Sequence, residues 1–314
     1  MATELSPYLR GQIAKGQAIL FLGAGASIGG LDSEGRPPLT GDQLRDQLSD
    51  VFLGGQMKDA PLARVAAIAR EQAGENAFRG KVRECFAGLV PAVFHQKIAD
   101  FKWRAIVTTN FDTIVEEAYR LNERRIQDLG IVLREGGELE AESRKGALPL
   151  LKIHGCVTAI RDQSLPLILA SEEYAMYREN RQYLFQTIGE WGRTYPIVFV
   201  GYDISDPHIF QLLFRLSDDS ISRPRFALVR PNIEQVEVNY WESKRVDVFS
   251  LTFEQFLTLA ERSIPQNERI LSKFLDPESL PYNLYLKNGT EVSADLAEYL
   301  STQWQFVDPD STFE

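Results

Sequence analysis

The sequence predicts an α/β protein: a Rossmann-like, doubly wound parallel sheet of about six strands with a helical insertion beside it. Three observations carry this. Short apolar runs recur along the 314 residues, each long enough for a strand buried on both faces. Longer segments with apolar residues at helical spacing separate them, which implies parallel strands joined by right-handed crossovers. Several runs also break straight into Gly, Asn, Asp or His, as strand ends do where an open α/β sheet binds a ligand.

In chain order, the first run is Ala18-Ile19-Leu20-Phe21-Leu22, and it opens into Gly23-Ala24-Gly25-Ala26-Ser27. Small residues let the backbone turn tightly and approach a ligand, and the main-chain N–H groups of such a turn bind phosphate. Ile28 stands where the dinucleotide fingerprint has its third glycine, so a ligand-free turn is the alternative reading of this stretch alone. The Pro-Pro turn at 35–40 resists helix, and Thr40 is placed to cap a helix starting near Gly41. Helical spacing of Leu44, Leu48, Val51 and Phe52, then Leu62, Val65, Ala66 and Ala69, then Val82, Cys85, Phe86 and Leu89, marks the insertion over about 41–100. Strands are expected at 104–108, 148–153, 165–169, 197–200, 226–229 and 246–249, with helices at 113–121, 171–191 and 208–216 between them. The pattern implies one domain over 1–265. Beyond it, the extension 266–314 carries a hairpin signal around Asn288-Gly289, a helical stretch at 294–300, and aromatic residues suited to packing or assembly.

Composition narrows the function classes. Hydrophobic residues make up 44% and charged residues 25%, and no apolar run approaches the ~20 residues that span a bilayer, so a cytoplasmic protein is expected. Thirty-four Lys and Arg against 44 Asp and Glu give a net charge of −10, which argues against a large nucleic-acid footprint. The two cysteines, Cys85 and Cys156, lack Cys-x-x-Cys partners and provide neither a disulfide framework nor a four-cysteine zinc site. No metal is expected.

Three further loops gather polar chemistry at strand ends. Thr108-Thr109-Asn110-Phe111-Asp112 includes good helix caps, yet a cap needs only one of them. The set suits hydrogen bonds to a ribose, a carboxamide and a water. Lys152-Ile153-His154-Gly155-Cys156 places one of only three histidines before a glycine that allows close approach, and histidine takes up a proton near neutral pH without a shifted pKa. A structural imidazole bonded to backbone is the alternative there, and it is the expected role of His95 and His208. Val200-Gly201-Tyr202-Asp203-Ile204-Ser205-Asp206-Pro207 offers a close-approach glycine and a carboxylate able to bond sugar hydroxyls, while Asp206-Pro207 reads as a capping pair.

Taken in this order and spacing, the four loops resemble the NAD-binding core of sirtuins, in the divergent prokaryotic branch found in antiviral defence systems. The resemblance covers about 19–260. It implies that Gly23, Ala24, Gly25 and Ser27 hold the NAD diphosphate, that Asn110 and Asp112 face the nicotinamide ribose, and that His154 is the general base. Gly201 and Asp203 fall where the family contacts the adenosine side, and Ala26, Thr109 and Tyr202 stand beside these as cofactor-binding candidates. Two departures matter: the chain cannot build the zinc ribbon of protein-deacylating sirtuins, and Thr109 replaces the Gln of their amide motif.

The resemblance therefore implies an NAD hydrolase that releases nicotinamide and ADP-ribose, with Asn110 and His154 catalytic and NAD as substrate. Cleavage of that glycosidic bond passes through an oxocarbenium-like sugar and calls for a placed water and a proton acceptor. An NAD-dependent protein deacylase and a non-catalytic nucleotide-binding module remain as alternatives. Relatives of this kind are held inactive until triggered, which implies a homo-oligomer and a sensor partner such as a HerA-type ATPase or a short Argonaute.

Overall fold

Strands of four or five residues, most of them apolar, send alternate side chains into two hydrophobic layers, as an extended chain buried on both faces must. A computed structural model of the chain describes residues 4–134, 147–162, 165, 167–202, 226–265 and 268–269, with the side chains of 174–180 excepted. Strands β1 (Ile19–Leu22), β2 (Ala105–Thr108), β3 (Leu129–Val132), β4 (Leu148–Lys152), β5 (Ile197–Val200), β6 (Phe226–Val229) and β7 (Val246–Phe249) form a seven-stranded sheet. The order is β3-β4-β2-β1-β5-β6-β7, and every neighbouring pair is parallel.

In β1, Leu20 and Leu22 join one layer with α1 (Pro7–Ala14), α5 (Ile114–Leu121), the 3-10 segment Val93–Asp100 and α8 (Phe253–Ser263). Ile19 and Phe21 join the other, covered by Leu184 and Ile188 of α6 (Ser171–Thr194) and by Val238 and Trp241 of α7 (Gln235–Ser243). The three-layer α/β/α arrangement follows from that alternation.

A third cluster is helical. Helices α2 (Gly41–Phe52), α3 (Leu62–Ala73) and α4 (Glu75–Phe86) pack Leu44, Leu48, Val65, Ala69, Phe78 and Val82 together, as their spacing predicts. Thr40 caps α2 in a reciprocal box: its Oγ1 accepts from Gln43 N at 3.2 Å, and its own N–H donates to Gln43 Oε1 at 2.9 Å. The cluster also takes in Phe111 from the β2–α5 loop, Ile114 at the start of α5, and Val157 and Ile160 from the segment after β4. The helical module therefore grips two of the loops that the sequence singles out.

The sheet reverses its winding at β1, with β2 on one side and β5 on the other, and the loops leaving β1 and β5 meet there. They meet backbone to backbone. Gly25 N–H donates to Gly201 O at 2.8 Å and Gly23 N–H to Val200 O at 2.9 Å. A Cβ on Gly25 would lie 2.8 Å from Gly201 Cα, and one on Gly201, whose φ is +59°, would lie 2.3 Å from Ala26 N. Only glycine fits this crossing.

The structure differs from the sequence reading in two strands. Residues 165–169 were expected to pair in the sheet, but the described ones form turns. Arg79 of α4 holds the start of this stretch instead: its guanidinium donates to the carbonyls of Ile160, Asp162 and Leu165 at 3.1–3.3 Å. The seventh strand is β3, an edge strand whose Ile131 is exposed and whose Gly130 interrupts the apolar run. The expected helix at 208–216 and the hairpin and helix of the extension lie outside the described residues. Among the described residues no helix is long and apolar enough to cross a membrane.

Gly201→Ala is expected to lower unfolding free energy by ~3 kcal/mol, since it combines a left-handed backbone with a backbone clash. Gly80→Ala, in the open middle of α4 with nothing near its added Cβ, is expected to raise it by ~0.5–1 kcal/mol. Urea denaturation of the two variants checks both signs.

Candidate functional site

Parallel strands end at one edge of the sheet, so the loops after β1, β2, β4 and β5 emerge together. Register makes this specific. Leu22 pairs with both Thr108 and Val200, and Thr108 pairs with Lys152, so Asn110 and His154 each stand two residues beyond a matched pair on adjacent strands. The Ile153 N–H donates to Thr108 O at 3.0 Å and carries the ladder one step past the strand end.

The first loop curls as a 3-10 turn over Ala24–Ser27. Gly23, Gly25 and Ala26 spend their N–H groups on Val200 O, Gly201 O and Gly23 O, so these amides hold the loop to the protein. What the loop offers outward is a small, bare surface at exposed Ala24 and half-buried Gly25. A Val at position 25 meets the Gly201 backbone before it meets any ligand, so that substitution tests folding more than binding. Ala26 and Ser27 are buried.

The second loop is tied to the first. Thr108 Oγ1 donates to Leu22 O and accepts from Asn110 N, each at 3.0 Å. The Asn110 amide nitrogen donates to Gly23 O at 2.8 Å and to Ser27 Oγ at 2.9 Å. Both of its protons are thus used, and the Oδ1 acceptor is the end left for a ligand or a water. Asp112 is buried, and its two oxygens accept from Ser27 Oγ–H at 2.7 Å and Ile114 N–H at 3.0 Å. Its carboxylate therefore braces the turn and starts α5. Thr109, half-buried, gives its N–H to Leu22 O at 3.3 Å.

The third loop follows β4. His154 is buried and its carbonyl accepts from Ile168 N–H at 2.9 Å, while Gly155 takes φ +107°, a conformation that favours glycine there. Val157 N–H donates to Phe111 O at 2.9 Å and joins this loop to the second. In the fourth loop the Tyr202 ring lies in the core, edge-on to Phe21 with centroids 5.3 Å apart, so the sheet core holds a side chain that the sequence reading gave to the ligand. Asp203 lies outside the described residues. Among the described residues, no three or more His, Cys, Asp or Glu gather as a metal site.

Two residues outside these assignments support the loops. His95 is fully buried: its Nδ1 accepts from Ala92 N–H at 3.0 Å, which leaves the proton on Nε2 to donate to Ala26 O at 2.9 Å. Lys152, the last residue of β4, is buried and donates to Asp112 O and, at 2.8 Å, to Glu116 Oε1. A charged residue ending a buried apolar strand, with Glu116 four positions after Asp112, is the sequence signal that points to it.

Burial pushes the His95 imidazole below the ordinary histidine value, although its bonds to Ala26 and Ala92 and the charges of Asp112 and Glu254 pull the other way. The unfolded chain then binds more protons than the folded one once pH drops below about 6.5, so stability is complete above that value and declines on acidification. His95→Gln, which cannot titrate, is expected to melt with a shallower dependence of Tm on pH between pH 7 and 5. Thermal melts across that range compare the two slopes.

Comparison with known proteins finds sirtuin-like sequences and folds. A family model described as a SIR2-like domain matches residues 104–249, the stretch that carries the second, third and fourth loops. The chain is 26% identical over 235 residues to Defense-associated sirtuin 2 of Bacillus subtilis, across 73% of this chain. It spans only 22% of that relative's length. Its fold is similar to the crystal structure of a Sir2 homolog–NAD complex, with a TM-score of 0.50 and 14% identity over 86% of this chain and 96% of the other. By its sequence matches the chain is sirtuin-like, with similarity to the SIR2-like domain at 104–249.

Proposed function

We propose that the chain is an NAD hydrolase that cleaves the bond between nicotinamide and ribose and releases nicotinamide and ADP-ribose. The observation that carries this reading is that the loops after β1, β2, β4 and β5 emerge at one edge of the sheet around the switch point, with Asn110 bonded into the Gly23–Ser27 turn and His154 level with it on the next strand but one from β1. The fold's likeness to a Sir2 homolog solved with NAD supports NAD as the ligand.

In this reading the diphosphate runs along Ala24 and Gly25, where the surface is small and exposed, and the nicotinamide ribose faces Asn110. The C–N electron pair leaves with nicotinamide, and the sugar passes through an oxocarbenium-like state that needs a positioned water more than a strong nucleophile. Asn110 Oδ1 accepts a hydrogen bond from that water and His154 takes its proton as the new C–O bond forms. NAD⁺ and water become nicotinamide, ADP-ribose and a proton. Asp112 acts one step back, by holding Ser27.

The similarity to Defense-associated sirtuin 2 supports a defence role, which in this reading is that of an NAD-depleting effector of a prokaryotic anti-phage system. Unchecked NAD loss is lethal, so such an effector needs control, which we assign to self-assembly in the cytoplasm and to a sensor protein such as a HerA-type ATPase or a short Argonaute.

Incubation of the purified protein with NAD, with and without an acyl-lysine peptide and with candidate partners, tests the reading. Nicotinamide and ADP-ribose without peptide are expected. Nicotinamide released only with peptide would replace the reading by deacylation, and NAD binding without release by a regulatory module. Asn110→Ala and His154→Ala are each expected to slow nicotinamide release by roughly 10²-fold or more while keeping a cooperative melt.

A further inference from the structure

We infer that Lys152 is a positioning residue: its buried ammonium fixes the Asn110–Asp112 loop against the His154 loop and so sets the spacing of the two groups that act on the substrate. This deepens the hydrolase reading and rests on it.

The geometry is a continuous chain of hydrogen bonds across three strand ends. Lys152 leaves β4 two residues before His154, and its side chain is 1% exposed. It donates to Glu116 Oε1 on α5 and to the main-chain carbonyl of Asp112. The Asp112 carboxylate accepts from Ser27, Ser27 accepts from Asn110, and Asn110 donates in turn to Gly23 O. Remove the ammonium and Asp112 O loses a charged donor in a site that water does not reach, while Glu116 is left as an uncompensated, largely buried carboxylate.

Fold stability alone does not call for such a pair. A buried ion pair is commonly replaceable by apolar residues of similar volume with little loss of stability, because removing both charges also removes their desolvation cost. What an apolar pair cannot reproduce is the bond from Nζ to the Asp112 carbonyl, which is directional and joins the β4 loop to the β2 loop. Burial opposes the charged form of Lys152, but Glu116, with Cys156 and Asp112, outweighs it and the ammonium pKa is raised, so the charge is retained at neutral pH.

The test uses the Lys152→Met/Glu116→Leu double variant, which removes both charges at similar volume, with Lys152→Met alone beside it. Two readouts are taken. Hydrogen exchange follows the amides of Asn110 and Ile114, which the intact loop protects through Thr108 Oγ1 and Asp112 Oδ1. Steady-state kinetics follow nicotinamide release from NAD. With a cooperative melt retained, the double variant is expected to exchange these two amides at least about tenfold faster and to lose roughly 10²-fold in kcat, with KM changed far less. Unchanged exchange at both amides overturns the inference whether or not the wild-type protein consumes NAD. Faster exchange with wild-type kcat overturns it as well. Failure of the wild-type protein to release nicotinamide, under all the conditions above, counts against the hydrolase reading and thereby against the assignment of Lys152 to catalysis, while the exchange result still reports on its hold over the loop.

Discussion

The absence of three side chains governs the edge of the sheet on which everything else is built. Gly23, Gly25 and Gly201 have no Cβ, and the loops leaving β1 and β5 can therefore cross in backbone contact at the switch point. That contact turns the first loop so that Ser27 faces the end of β2, where Asn110 and Asp112 meet it. Without the crossing, the small exposed face at Ala24 and Gly25 and the amide of Asn110 would have no common frame. The same contact uses the amide donors at Gly23 and Gly25, and the turn itself uses that of Ala26. Under the proposed reading, recognition at this loop depends more on shape and close approach than on a ring of open N–H groups.

Buried polar groups bind the remaining loops together, and each described link is a satisfied one. His95 holds Ala26 from beneath, Ser27 bridges Asn110 and Asp112, and Lys152 reaches both Asp112 and Glu116. In a low-dielectric interior such bonds reinforce one another when complete, and an interruption is costly because it strands a donor or acceptor away from water. Polar order at this edge and apolar order in the two layers beneath it are complementary. The layers fix where the strands end, and the bonds fix what their ends do.

Much of this was legible in the chain itself. Apolar runs such as Ile19–Leu22 and Ile197–Val200 are long enough and bounded sharply enough to be read as buried parallel strands, and the four polar loops follow directly from where those runs stop. Residues 165–169 misled because apolar composition does not reveal a competing partner for the backbone: Arg79, more than eighty positions earlier, holds the Leu165 carbonyl at the head of that run. β3 escaped notice because an edge strand need bury only part of its surface, and Gly130 with exposed Ile131 leaves no run to see. Within the site, residue type indicated chemistry but not direction. Asp112 and Tyr202 are acidic and aromatic in the expected places, yet one carboxylate turns inward to Ser27 and one ring turns into the core. His95 was readable as structural, whereas the carbonyl that it supports was visible only in three dimensions.

Phe111 lies between Asn110 and Asp112 in the chain, and its ring is sunk among the helices of the module, 5.8 Å from the Phe86 ring centroid. Two neighbours in sequence thus answer to different bodies: the amide is anchored to the sheet, the ring to the bundle. A tilt of the bundle against the sheet has a lever arm of a single residue to the Oδ1 end of the amide. The bundle's outer surface, remote from the bonds just described, is mechanically next door to them.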